Sequence, residues 1–183
     1  NQANIDIFNM VNKKRWKKDS SLEIITHHFS TDEQKGFDVY LALDNLIYNN
    51  PDLNVKFTYV RQKTQNGLGD AVLCAQQHIG NSPFVVMLGD TICQGEPNCT
   101  SGLIDIYKEH KSSVFAVMDV LPEETDRYGI IDGKLIKDSI WEVNNMVEKP
   151  SSKEAPSNLG ILGRYLFTPD LFDYQLEVSE GVG

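Results

Sequence analysis

The sequence predicts an α/β domain of doubly wound type, a mixed and mostly parallel sheet with an antiparallel addition toward the C-terminus. Three observations carry this expectation. Strand-like and helix-like patterns alternate over residues 55–120; "FVVML" and "SVFAVMDV" are short apolar runs rich in branched side chains, as strands buried on both faces of a parallel sheet require; and the last third holds mainly strand-like pieces. At 183 residues and 40% hydrophobic content, residues 1–183 are expected to form one domain with one sizeable core.

Each element follows from its local pattern. Near the N-terminus, Lys13, Lys14, Arg15, Lys17 and Lys18 surround Trp16. Such a run can meet an anionic partner, but it reads here as a solvated helix end or loop and receives no function. "LEIITHHF" predicts a short strand, and Phe37, Tyr40, Leu43 and Ile47 in "FDVYLALDNLI" fall near helical spacing. "VKFTYVRQ" reads as a strand, after which Leu68, Val72, Ala75 and Ile79 mark one helical face that Gly80 can end. Thr100 or Ser101 is expected to cap the helix containing "LIDIYKEH". Beyond residue 120, strands are expected around "YGIID", "WEVNNMVEK" and "NLGILGRYLF", broken by Gly133 and Pro150.

Composition narrows the partners. A net charge of −9 argues against nucleic acid, because proteins that track a phosphate backbone present basic surfaces. Phosphorylated small molecules stay open if a metal or a few placed bases offset the repulsion. Cys74, Cys93 and Cys99 form no CxxC pair, which suggests neither a disulfide framework nor zinc and points to a reducing cytoplasm. No apolar run approaches the roughly 20 residues of a membrane helix, so no membrane partner is expected. Asn98-Cys99-Thr100 matches a glycosylation sequon and is taken as coincidence.

In an open α/β sheet, ligands collect beyond the carboxyl ends of the strands, so the residues after each apolar run are the candidates. Gly67 and Gly69 follow the strand that ends near Arg61 and Gln62 and open a helix. Lacking Cβ atoms, they let a flat base or a phosphate approach the main chain, but on local evidence a plain strand-to-helix connection is the favoured reading. Neither the third glycine of a dinucleotide fingerprint nor the lysine of a P-loop is present. Gly89 and Asp90 follow "FVVML": a carboxylate at the mouth of a buried strand suits a magnesium ion shared with phosphates, while Gly-Asp-Thr is also good turn chemistry. Glu148-Lys149-Pro150 places an acid and a base on alternate faces of a strand that the proline stops. That pair could meet sugar hydroxyls and a phosphate, or simply be an exposed strand end. Tyr128-Gly129 is either a turn or bare backbone offered to a ligand. His27, His28, His78 and His110 show no zinc spacing, and no serine sits in a G-x-S-x-G elbow.

Taken in order, "VRQKTQNGLGDAVLCAQQHIGNSPFVVMLGDTI", "YGIID" and "VEKPSSKEAPSNLGILGRYLFTPDLF" closely resemble the bacterial-type UTP-glucose-1-phosphate uridylyltransferases and, more broadly, the sugar-1-phosphate nucleotidyltransferases. The resemblance covers residues 55–175 best. It implies a Rossmann-like core with helices on both faces of the sheet, and formation of UDP-glucose and pyrophosphate from UTP and glucose 1-phosphate. By similarity, Gln62 and Gly67 would read the uracil, with Gly89 beside the nucleotide; Asp90 would ligate Mg2+; Gly129 and Glu148 would hold glucose hydroxyls; and Lys149 would sit against the sugar phosphate. Asp90 and Lys149 are thereby the expected catalytic pair, and a homo-oligomer is allowed.

The chain also departs from the family pattern. The glycine-rich loop with its Gly-Thr-Arg element, the following Pro-Lys segment and a downstream metal-binding Asp are not found, so the chain is expected to be a middle piece of a longer enzyme with little turnover of its own. Gly89 stands where many uridylyl enzymes carry Pro and thymidylyl enzymes carry Gly, which keeps dTTP as an alternative nucleotide. A non-catalytic nucleotide-sugar binding module is the alternative of a different class.

Overall fold

The computed structural model describes residues 22–27, 45–50, 55–64, 66–95 and 98–174. The basic run around Trp16 lies outside them, as do residues 37–44 of the helix expected over residues 37–47; residues 45–48 are helical. Where one domain is expected from length, the chain divides into two compact units, residues 1–80 with 174–183 and residues 81–173.

In the first unit, β1 (Leu22–His27) pairs in parallel with β2 (Val55–Val60), in register from Leu22 opposite Val55 to His27 opposite Val60. Both strands are where their β-branched content predicts. The single helix expected after the glycine turn is two short ones, α1 (Leu68–Leu73) and α2 (Gln76–Ile79). At the joint, Ala75 N–H donates to Val72 O at 3.0 Å, one residue short of the α-helical partner. Neither helix has a buried residue, so no packed face holds the longer helix together. Gly80 ends α2 at φ 60°, as expected.

The second unit is a five-stranded sheet built around one strand. Its elements are β3 (Phe84–Met87), α3 (Cys99–His110), β4 (Val114–Asp119), a 3-10 turn (Pro122–Arg127), β5 (Gly129–Lys137), β6 (Ile140–Glu148), β7 (Leu159–Phe167) and α4 (Leu171–Tyr174). Leu166 on β7 is registered with both Val85 on β3 and Val114 on β4, and Tyr165 with both Val86 and Phe115. A residue has one partner on each side, so β7 lies between β3 and β4. Both pairings are antiparallel; β3 and β4 therefore run in the same direction, as a β-α-β unit should, with a later strand inserted between them. The α/β class and the presence of both parallel and antiparallel pairing are as expected, but the two kinds fall in separate sheets: β7's insertion makes the pairings of this unit antiparallel and leaves parallel pairing to β1 and β2 among the described residues. Gly160 meets Met118 on one side and Ile130 on the other, which puts β5 on the β3 side of β7.

Two smaller expectations change. Asn98, not Thr100 or Ser101, caps α3: its side-chain oxygen accepts from Ser101 N–H at 3.1 Å. Gly133 does not break its strand but lies inside β5 beside a bulge of β6, where a Cβ would lie 2.7 Å from Glu142 O.

The apolar core among the described residues, Leu103, Val120, Ile130, Ile131, Leu166 and Phe172, belongs wholly to the second unit. Phe84 stacks on Phe172 with centroids 5.3 Å apart, which ties β3 to α4. Burying each such side chain contributes roughly 1.5–3 kcal/mol. No described helix is long and apolar enough to cross a membrane.

Candidate functional site

The glycine turn of the first unit is shaped by a buried amide. Gln62 is 7% exposed, and its Nε2 donates to Gly67 O at 3.2 Å and to the Asp70 carboxylate. Gly67 adopts φ 91°, ψ −177°, a conformation open to glycine and strained for any other residue, and nothing lies within 4 Å of where a Cβ would point. The turn thus presents open main chain. Beside it is a depression of about 300 Å³ lined by Arg61, Lys63, Thr64, Asn66, Asp70 and Cys74. Two bases in this wall suit an anionic or hydrogen-bonding ligand. Lys63 went unnoticed in the sequence because it sits in polar loop residues with no pattern to mark it.

In the second unit, Asp90 stands on a tight turn just past β3. Thr91 N–H donates to Leu88 O at 3.3 Å, which closes a four-residue turn with Gly89 and Asp90 at its corners. Leu88 N–H in turn donates to Gly163 O at 3.0 Å, and a Cβ on Gly163 would meet the Leu88 side chain at 2.9 Å, so the strand end fits against bare backbone of β7. Asp90 is exposed, and its Oδ1 accepts from Thr91 Oγ1 at 3.2 Å. Arg164 reaches the turn from β7 through two of its main-chain oxygens, Leu88 O and Thr91 O, and also donates to Gly163 O on its own strand.

Gly129 and Glu148 prove to be cross-strand partners. They face each other in the β5–β6 register, and Glu148 Oε2 lies 3.3 Å from where a Gly129 Cβ would be. The carboxylate therefore lies over bare backbone. Lys149 corrects an expectation: β6 ends at Glu148, and Lys149 turns into the left-handed region at φ 46°, a costly conformation for a residue with a Cβ, before Pro150. That turn brings its Nζ to 3.7 Å from Glu148 Oε1, so acid and base meet on one side instead of alternating across the strand. Lys149 N–H donates to Tyr128 O at 3.0 Å, and the hydroxyl of Thr125, 1% exposed, has Pro150 O and Pro122 O as acceptors, each at 3.1 Å. Sequence reading missed Thr125 because its partner is 25 residues away.

Tyr165 links the two acidic positions. Burial and, behind it, the carboxylates of Glu148 and then Asp90 push its phenol above the usual tyrosine range. Burial and the neighbouring Cys93 likewise raise the Cys99 thiol, and the Arg164 charge partly offsets them.

Among the described residues, no three His, Cys, Asp or Glu converge as a metal cage. One exposed carboxylate at Asp90 fits a divalent cation held chiefly by oxygens from outside the protein. It does not fit an ion held by protein ligands alone.

A family model describing nucleotidyl transferases matches residues 30–182. The chain belongs to the nucleotidyl transferase family. Within it, the chain is 42% identical over 166 residues to a UTP-glucose-1-phosphate uridylyltransferase of Staphylococcus epidermidis, covering 87% of this chain and 56% of that protein. It is 44% identical over 130 residues to one from Pseudomonas aeruginosa, covering 69% and 46%. The chain thus spans about half the length of the curated relatives it matches. A UDP-glucose pyrophosphorylase solved with UDP-glucose superposes with a TM-score of 0.72 at 34% identity, over 88% of this chain and 63% of that one. A UTP-bound enzyme from Acinetobacter baumannii gives 0.67 at 27% identity, over 87% and 62%. The nucleotidyl transferase fold is therefore established for this chain, and a parallel two-stranded sheet with an antiparallel sheet built around β7 is its form here.

Proposed function

We propose that this nucleotidyl transferase chain serves the formation of UDP-glucose and pyrophosphate from UTP and glucose 1-phosphate in the cytoplasm. The observation that carries the reading is Glu148 lying over the bare Gly129 backbone with Lys149 folded back beside it. That arrangement offers a hydrogen-bond acceptor for sugar hydroxyls, a gap where a ring can approach, and a cation for the adjoining phosphate. Relatives named for UTP and glucose 1-phosphate, and a related structure holding UDP-glucose, support the same substrates.

Each residue's part follows from its setting. Gln62 fastens Gly67 so that the open main chain is held ready for a pyrimidine, and its own Nε2 is engaged in doing so. Gly89 gives the turn beneath Asp90 an uncrowded surface for the nucleotide. Nucleotidyl transferases generally use a divalent metal; with Asp90 as protein ligand, Mg2+ would supply neutralisation of phosphate charge. An oxygen of the sugar phosphate attacks the α-phosphorus of UTP in line. The new O–P bond forms as the bond to the bridging oxygen breaks, and pyrophosphate leaves with that electron pair. Lys149 screens repulsion between the two anions, and Glu148 and Gly129 hold the glucose so that the attack is aligned.

Calorimetric titration of UDP-glucose into the chain and its Glu148→Gln variant is the test. Loss of a charged hydrogen-bond acceptor should weaken UDP-glucose by about tenfold, roughly 1.4 kcal/mol, and leave UDP unaffected. Equal affinity of both proteins for UDP-glucose would remove the sugar site from this strand end.

A further inference from the structure

The Arg164 side chain is the one charge in the apolar run "GILGRYLF", and it forms no ion pair among the described residues. Its acceptors are all main-chain oxygens. Nη1 donates to Leu88 O at 3.2 Å and to Gly163 O at 3.0 Å, and Nη2 donates to Thr91 O at 2.7 Å. Leu88 and Thr91 are the first and last residues of the turn whose corners are Gly89 and Asp90. The fork therefore grips both ends of the turn that carries the carboxylate and anchors them to β7 through Gly163.

From this geometry we propose that Arg164 is a positioning residue for Asp90, holding the 88–91 turn so that the carboxylate is presented in one direction to a phosphate-borne magnesium ion. The inference rests on the function proposed above. A partly buried guanidinium without a carboxylate partner would be a costly way to satisfy three carbonyls if strand pairing alone were needed, because water or a neutral donor could satisfy them without desolvating a charge. What the planar fork adds is rigidity: two nitrogens on one plane fix two carbonyls relative to each other, leaving Asp90 little freedom beyond its own side-chain rotation. A lysine keeps the charge but cannot span both carbonyls from fixed positions, so Arg164→Lys separates charge from geometry.

The test combines two readouts on the full 183-residue chain. In the first, amide hydrogen exchange compares the unsubstituted protein with Arg164→Lys in the absence of ligand; exchange should rise at residues 88–92 and stay unchanged in β5 and β6. In the second, UDP-glucose is titrated with and without magnesium. The unsubstituted chain should gain about tenfold in affinity from the metal; Asp90→Ala should lose that gain, and Arg164→Lys should retain less than a twofold gain. Retention of the full magnesium gain in Arg164→Lys overturns the inference alone. So does an equal loss of affinity with and without metal, since that is the signature of a merely structural tie. Failure of the unsubstituted chain to bind UDP-glucose at all removes the proposed function, and with it the purpose assigned to the grip on Asp90.

Discussion

The two compact units place their chemistry by different means. In the first, Gly67 is set by a side chain five residues away, a buried Gln62 whose amide closes the turn. In the second, Gly129 and Glu148 are brought together by strand register, and Asp90 is steadied by an arginine from a strand more than 70 residues later. The first device is local and polar, and no apolar residue of the first unit is fully buried among those described. The second is long-range and depends on an apolar core. A locally built turn should lose ligand recognition when disturbed while the rest of the unit stands. A register-built site should lose recognition and stability together.

The largest break of this contrast is expected at Thr125. Thr125→Val removes the hydroxyl that donates to Pro150 O and leaves that carbonyl buried without this donor; Thr125 is itself 1% exposed. The cost should be about 2–3 kcal/mol, a fall in Tm of roughly 2–4 °C for each kcal/mol, together with weaker UDP-glucose binding as Lys149 relaxes from its left-handed turn. Calorimetric melting beside the titration checks both; an unchanged Tm would show that the strand end does not depend on this clamp.

Gly67→Ala is the sharper probe of the other device. A Cβ meets nothing there, so the penalty is purely conformational, about 1–3 kcal/mol for a non-glycine residue at φ 91°, ψ −177°. Affinity for UDP should drop severalfold while glucose 1-phosphate binding stays level. A matching fall for both ligands would mean that the turn is not specific to the nucleotide.

The smallest effect concerns pH. The Tyr165 phenol is raised in the folded chain by burial and by Glu148 and Asp90. The unfolded phenol, at about 10, loses its proton first as alkali is added, so the folded state falls behind in stability above that pH and is unaffected below it. Denaturant midpoints measured between about pH 9 and 11 should therefore decline less steeply in Tyr165→Phe than in the unsubstituted chain. Identical slopes would show that the folded state does not raise the phenol.

How much of this was legible beforehand varies with distance along the chain. The strands at residues 22–27, 55–60, 84–87 and 114–119 follow from β-branched apolar runs; Gly67, Asp90 and Glu148 could be named because they follow such runs, and Gly129 through the family resemblance. The break between α1 and α2 was hidden because periodicity reports a face without saying whether anything packs against it. The side of Lys149 is hidden for a similar reason: spacing implies alternation across a strand, but β6 ends one residue earlier, and the left-handed turn follows from contacts to Tyr128 and to Thr125 through Pro150.

By itself the sequence determined the α/β class, the strand ends that carry candidate chemistry and the resemblance in motif order, because each depends on residue type and near-neighbour spacing. Only the tertiary structure decided that β7 runs between β3 and β4, that Glu148 lies over Gly129, and that Arg164 and Thr125 steady the acidic and basic strand ends. The physical reason is that hydrogen bonds between main-chain groups carry no residue code: any chain can make them, and register alone selects which partners meet.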